Sequence, residues 1–291
     1  MENIFREKEC LIAMRFGLNF PLAGPFSDVA IVAQLAKEAE DAGWDGCFVW
    51  DHLLLAGAPP LADPWIALAL IAQATSRIRL GALVTPLFRR NPAKLAYETV
   101  TLDHLSKGRL VLGVGLGSDA FGEISTFGGP LDDKLRAEML DEGLIVLSAL
   151  WSGQPFSFDG RHYRLNNAQV VPPCLQRPRI PIWIAGSWPR KPAMRRAARY
   201  DGVVPVRGDL ATSLTPSQVA EMVAYINGFR SGDAPFEVIH FESAMGSRSA
   251  QDRQLVVSYA QVGVTWWIET MPFDPQQFDQ ACHWIHAGPS G

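Results

Sequence analysis

Asp51 and His52 are the neighbouring residues in this sequence best suited to proton chemistry. A histidine titrates near neutrality and can give or take a proton, and a carboxylate beside it can fix the ring's orientation or raise its basicity. The pair follows the apolar run Cys47 to Trp50, which reads as a strand, so both side chains emerge where that strand ends. Without that context, Asp51 capping a loop and His52 lying solvated would account for the dipeptide equally well. Asp103-His104 repeats the residue types near the end of a helical pattern and is assigned to structure. His162, His240, His283 and His286 show no H-E-x-x-H or comparable spacing, so no metal site is expected.

Two glycine-containing stretches could admit a cofactor. Gly113-Val114-Gly115-Leu116-Gly117 crosses a strand end, where bare backbone can approach a flat ring or a phosphate and where a tight turn would also favour glycine. It lacks the full G-x-G-x-x-G spacing entering a helix, so it does not indicate a Rossmann domain. Ala185-Gly186-Ser187 ends another strand. There Gly186 admits close approach, Ser187 offers a hydroxyl, and the following helix N-terminus presents backbone donors suited to a phosphate, with Arg190 and Lys191 adding positive charge. Trp50, Trp183, Trp188, Trp266 and Trp267 gather around three strands and could wall a ring system, although large aromatics are commonly ordinary core. Alternation along a strand sends Trp266 and Trp267 to opposite faces, so at most one of them looks inward.

The elements that must position these residues alternate regularly. Short apolar or β-branched runs are separated by helical patterns from Arg15 onward, the signature of βα units on a parallel sheet. Strands are expected at Arg15 to Phe20, Gly46 to Asp51, Ile78 to Val84, Arg109 to Leu116, Ile180 to Gly186, Gly202 to Val206, Phe236 to Phe241 and Thr265 to Glu269. Asp28 to Gly43 reads as the first helix, and Asp63-Pro64 and Asn91-Pro92 supply a cap and a first-turn proline for the next two. Eight such units close a (β/α)8 TIM barrel, an α/β fold whose functional surface lies at the C-terminal ends of its strands. Between Gly117 and Pro181 the rhythm is interrupted by an elaborated connection between the fourth and fifth strands. It holds a long helix and a hairpin turning at Asp159-Gly160.

Composition narrows the function classes. The 291 residues suit one eight-fold barrel, taken as residues 15–291, and no repeat or linker argues for a second domain. Residues 1–14 are expected to form a loose N-terminal extension. With 48% hydrophobic and 19% charged residues the chain can fill a large core, and a net charge of -4 offers no basic surface for nucleic acid. Four scattered cysteines without a C-x-x-C pair fit a reducing cytoplasm, and no stretch is long and apolar enough for a signal peptide or a membrane span.

The stretches GWDGCFVWDHL from Gly43, RIRLGALVTPLFRRNP from Arg77, LDHLSKGRLVLGVGLG from Leu102, RPRIPIWIAGSWP from Arg177 and TWWIE from Thr265 resemble the bacterial luciferase-like superfamily of flavin- and deazaflavin-dependent oxidoreductases. The resemblance covers almost all of Arg15 to Glu269. It implies a cofactor ring, coenzyme F420 or FMN, lying across the barrel mouth. A bulge with a non-prolyl cis peptide, whose nearest counterpart here is around Ala82-Leu83, would support the ring. Asp51 and His52 match the family's Asp-His pair, with Asp51 orienting His52, while Gly115, Gly117, Gly186 and Ser187 match cofactor-contacting loops. Ser118, with Asp119 beside it, stands where sugar-phosphate-oxidising relatives carry an acid, so a sugar phosphate is not expected as substrate.

The expected activity is hydride transfer between coenzyme F420 or reduced flavin and a small organic substrate. The alternative is an FMN-dependent monooxygenase using reduced flavin and oxygen. A separate flavin or F420 reductase is an expected partner, and a homodimer could associate through the first helices. Substrate choice is expected to lie in the loops 53–62, 118–133 and 207–215. Two rivals from other classes are a non-catalytic flavin-binding protein and a metal-dependent hydrolase on the same barrel.

Overall fold

The computed structural model describes residues 14–57, 59–207, 213–243 and 250–289. The expected extension up to residue 13 lies outside these, as do residues 58 and 208–212 of the expected substrate loops. In chain order the main elements are β1 (Arg15–Phe20), α1 (Val29–Asp41), β2 (Gly46–Val49), α2 (Pro64–Ala74), β3 (Arg79–Ala82), β4 (Thr85–Pro86) and α3 (Pro92–Leu105). There follow β5 (Leu112–Gly115), a one-turn α4 (Glu123–Thr126), α5 (Asp133–Trp151), the hairpin β6 (Phe156–Asp159) and β7 (Arg164–Ala168), and β8 (Ile182–Trp188). The chain continues with α6 (Lys191–Ala197), β9 (Gly202–Arg207), α7 (Pro216–Asn227), β10 (Glu237–Ser243), α8 (Ala250–Gln261), β11 (Trp266–Thr270) and α9 (Phe278–His286).

Helix starts follow their cap chemistry. The Asp63 carboxylate accepts the N–H groups of Trp65 and Ile66, and the Asn91 side chain accepts those of Ala93 and Lys94, each ahead of a first-turn proline. Thr215 and Gln218 form a reciprocal capping box at the start of α7. Gly43, at φ +96, adopts the left-handed backbone that stops α1.

All neighbouring strands of the large sheet pair in parallel, in the order β3-β2-β1-β11-β10-β9-β8-β5-β4. β3 and β4 are two halves of the expected third strand. The first half pairs with β2 and the second with β5, and a bridge joins Leu80 to Leu110, so the row closes into an eight-stranded barrel. The halves are separated by a cis peptide bond at Leu83–Val84, one residue beyond the expected position.

Two apolar layers result. Phe48, Leu83, Val111, Trp183, Val204, Ile239, Trp266 and Ile268 fill the barrel interior, while the opposite strand faces pack under the helices. Phe48, Trp183 and Trp266 meet at ring-centroid distances of 5.5 to 5.6 Å. Gly46 makes room for them, since a Cβ there would come within 2.6 Å of Phe48 and 2.7 Å of Trp266. Trp266 faces inward and Trp267 outward, as alternation requires. Arg15 lies over the Trp266 ring, 4.8 Å from its centroid, and pairs with Glu237 at the N-terminal end of the barrel.

The hairpin differs from its expected turn. Asp159 pairs with Arg164, so the loop spans residues 160–163 rather than Asp159-Gly160 alone. The cause is Glu142 of α5, whose carboxylate accepts the backbone N–H groups of Arg161, His162 and Tyr163 and holds a wider loop against the helix.

Candidate active site

Three chain exits at the C-terminal end of the barrel converge on one charged cluster. The Trp50 N–H still bonds to the Phe20 carbonyl, so Asp51 and His52 leave the sheet directly at its mouth. Arg89 and Arg90 come from the short turn between β4 and α3. Glu123 opens α4, which Asp119 caps by accepting the N–H groups of Ile124 and Ser125. Gly122, at φ +74, turns the chain into that helix and thereby aims Glu123 inward.

Asp51 and Glu123 are carboxylates whose side chains are only 1% and 2% exposed. Burying such groups unpaired would cost several kcal/mol each, on the order of the effective penalty for a desolvated ion. Here they are paired. Arg89 Nη2 donates to Asp51 Oδ1 at 2.8 Å and also to the Asp51 carbonyl, while Nη1 donates to Glu123 Oε2 at 3.1 Å. Arg90 Nη2 donates to Asp51 Oδ2 at 3.0 Å, and its guanidinium lies over the Trp65 ring. Glu123 Oε2 also accepts the Leu53 N–H at 2.9 Å.

The His52 ring lies beside Glu123, with Nδ1 3.3 Å from Oε1, a contact too poorly aligned to count as a full hydrogen bond. Burial acts to raise the Glu123 carboxyl's pKa, but His52, the Leu53 N–H and Arg89 together hold it below the ordinary carboxylate value. Two carboxylates and two guanidinium groups balance, and His52, 29% exposed, lies against Glu123 at the mouth.

The expected orientation of His52 by Asp51 is therefore corrected. Both Asp51 oxygens are occupied by arginines, and the carboxylate at the ring is Glu123, supplied by a different strand exit. Sequence reasoning missed Glu123, Arg89 and Arg90. Two arginines before a helix cap and an acid in a loop look like solvated surface until the barrel brings their strand exits together.

The other expected site residues separate into two groups. Leu83 looks into the barrel, and Gly115 lies on its inner wall, where a Cβ would meet Val84 and Ala185 at 3.2 Å. Alternation along β8 places Ser187 on the same side as Trp183 and Ala185. Gly117 makes a left-handed turn, φ +72, packed on Pro86 and Phe88. Ala82 instead faces the outer layer, and Gly186 faces α6, where a Cβ would come within 2.3 Å of Ala193 Cβ. The bareness of Gly186 thus serves helix packing rather than an open approach. Trp188 also belongs to the outer layer.

Above the interior aromatics the mouth is lined by rings. Phe273, Trp50, His52 and Phe121 run edge to face along the rim with centroid separations of 6.4, 5.6 and 5.8 Å. Phe121 and Phe273 are 43% and 40% exposed. Near the end of β1, the buried Asn19 carries an amide oxygen without a partner, next to Phe48 and Thr270 in register. An apolar rim with an orphaned acceptor fits a flat heteroaromatic ring that brings its own N–H donors, as flavins and deazaflavins do. A separate cavity of about 210 Å³ between α3, α5 and the hairpin lies outside the barrel. Among the described residues no group of three or more histidine, cysteine or acidic side chains is placed to hold a metal ion, and no helix is long and apolar enough to cross a membrane.

The family model described as luciferase-like monooxygenase matches residues 14–256. The chain belongs to that family. Within it, the chain is 34% identical over 185 residues to an F420-dependent glucose-6-phosphate dehydrogenase of Nakamurella multipartita, covering 61% of this chain and 52% of the relative. It is 32% identical over 186 residues to an F420-dependent hydroxymycolic acid dehydrogenase of Mycobacterium tuberculosis, covering 60% and 48%. The chain thus aligns with about half the length of these curated relatives. Among solved structures, an F420-dependent secondary alcohol dehydrogenase in complex with an F420-acetone adduct superposes with a TM-score of 0.76 at 17% identity, over 95% of this chain and 98% of that one. A monooxygenase from Streptomyces bottropensis gives 0.72 at 21% identity, over 94% and 97%. These likenesses establish the shared luciferase-like barrel.

Proposed function

We propose that this luciferase-like protein is an oxidoreductase that transfers a hydride between coenzyme F420 or a reduced flavin and a small organic substrate, with His52 giving or taking the accompanying proton. The observation that carries the proposal is the His52–Glu123 pair at the barrel mouth, backed by a charge-balanced Asp51–Arg89–Arg90 cluster. A bound flavin or deazaflavin would supply the hydride chemistry. The chain's own residues orient and exclude. Leu83, Val84 and Gly115 line the inner wall beside which the ring would lie, Asn19 offers it an acceptor, and Ser187 lies on the same wall. The rim aromatics keep water from the reacting centre, and His52 holds the proton against Glu123. The names of the F420-dependent dehydrogenases matched by sequence support this reading.

An uncharged alcohol or carbonyl compound fits the site better than a sugar phosphate. Both arginines of the cluster are committed to carboxylates, Ser118 accepts the Ala120 N–H, and Asp119 caps α4. The second reading is an FMN-dependent monooxygenase, supported by the family's description and the Streptomyces bottropensis neighbour. A separate reductase belongs to either reading. Self-association through α2 is also proposed, because Ile66 and Leu70 are exposed there, and sedimentation of the purified protein tests it. A cytoplasmic setting suits either cofactor.

Titration of the purified protein with oxidised FMN and oxidised F420, followed by fluorescence, tests the cofactor. Selective F420 binding supports hydride transfer and selective FMN binding moves the monooxygenase forward. Binding of neither overturns both.

A further inference from the structure

Arg89 uses two nitrogens of its guanidinium on acceptors from two different parts of the chain. Its guanidinium, 11% exposed, spans two buried carboxylates that belong to different strand exits, Asp51 after β2 and Glu123 after β5. It also donates to the Asp51 carbonyl, so it holds the backbone immediately before His52 as well as the carboxylate that faces His52. Of the two carboxylates Arg90 pairs with Asp51 and not Glu123, so Asp51 retains a cation if Arg89 is altered, whereas Glu123 would keep only the Leu53 N–H and the histidine. The planar fork of arginine bridges two acceptors at fixed separation, which the point charge of lysine does not.

We infer that Arg89 is the positioning residue of this site: by bridging Asp51 and Glu123 it holds the Glu123 carboxylate against His52 and so maintains the proton-handling pair. The inference rests on the proposed proton role of His52. A purely structural brace would affect stability alone. A positioning residue acts on His52 through Glu123, so the effects of positions 89 and 123 must not add.

The test is a double-mutant cycle on R89K and E123Q in the full chain, read as F420 reduction with a secondary alcohol. R89K is expected to lower kcat by roughly 10- to 100-fold, the cost of misplacing a catalytic partner by about 1 Å, with KM changed by less than about twofold. The limb of the pH-rate profile set by Glu123 ionisation should move to higher pH, because Arg89 is one of the charges holding that carboxyl low. E123Q should lose that limb. In the E123Q background, R89K should cost no more than about a further twofold. Equal losses in both backgrounds, or an R89K protein with lowered melting temperature and an unmoved pH profile, overturn the inference.

The same cycle is also read in thermal unfolding of the cofactor-free protein between roughly pH 3 and 7. A folded pKa below the ordinary glutamate value of about 4.5 means that Glu123 contributes stability above that pH and loses it as pH falls through the folded value. R89K should reduce this pH-dependent part in the presence of Glu123 and not in its absence. If wild-type protein turns over no substrate with either cofactor, the functional proposal falls while this coupling still supports the Arg89–Glu123 link. Additivity in unfolding as well would refute the link itself.

Discussion

Gly113→Ala should damage stability and cofactor binding together. A Cβ at Gly113 would lie 2.5 Å from the Ala82 carbonyl oxygen, 2.7 Å from Leu83 Cδ2 and 3.2 Å from Val84 Cγ1. An ordinary carbon-to-oxygen contact is about 3.3 Å, so the oxygen must retreat by roughly 0.8 Å. It belongs to backbone and cannot swing aside as a side chain would. Overpacking of this kind costs roughly 1–3 kcal/mol, and the backbone contact argues for the upper half of that range. At about 2 °C per kcal/mol for a chain of this size, the melting temperature should fall by roughly 4–6 °C.

The displaced segment, Ala82 to Val84, also carries Leu83 and Val84 of the inner wall beside which the ring is proposed to lie. Affinity for the preferred cofactor should therefore weaken by about tenfold, equivalent to 1.4 kcal/mol. Gly228→Ala is the control, since the nearest atom to a Cβ there is 3.4 Å away and the backbone is right-handed. Scanning calorimetry and fluorescence titration of both variants decide the matter. A Gly113→Ala protein with the melting temperature and cofactor affinity of wild type would refute the steric argument.

Two further outcomes follow from the buried polar contacts. Arg109 is buried and donates to the carbonyls of Ala72, Thr75, Ile78 and Ser106 and to the Thr75 hydroxyl. Arg109→Met leaves these acceptors without their donor and should cost roughly 3–5 kcal/mol in thermal unfolding, with a loss below about 1 kcal/mol contradicting the assignment. Glu142→Ala should free the hairpin loop, accelerating amide exchange at Arg161, His162 and Tyr163 while leaving the barrel strands protected. Burial acts to raise the Glu142 pKa, but the three N–H groups hold it below the ordinary value. Wild-type protection there should therefore persist above pH ~4.5 and be lost as pH falls through the lowered folded value.

Much of the architecture was legible along the chain. β1 was expected and found at Arg15–Phe20, Asp63-Pro64 and Asn91-Pro92 start their helices, and alternation separated Trp266 from Trp267. These features depend on neighbours in sequence: a cap acts within one turn, and a strand alternates every residue. His52 at a strand exit was legible for the same reason.

What faces His52 was not. Glu123 lies 71 positions further along, and Arg89 is 38 positions from Asp51 and 34 from Glu123. No local spacing encodes which of the neighbouring acids reaches the ring, and Asp51, the nearest in sequence, is drawn off by two arginines. Barrel closure decides it, because parallel strands bring their exits to one end whatever the length of chain between them. Packing of helices in space likewise showed that Gly186 is bare for α6 and that Glu142 widens the hairpin loop. Local chemistry along the chain determined the strands, the helix caps and a titratable group at the mouth. Tertiary structure alone decided which charges surround that group, because ion pairing depends on distance in space.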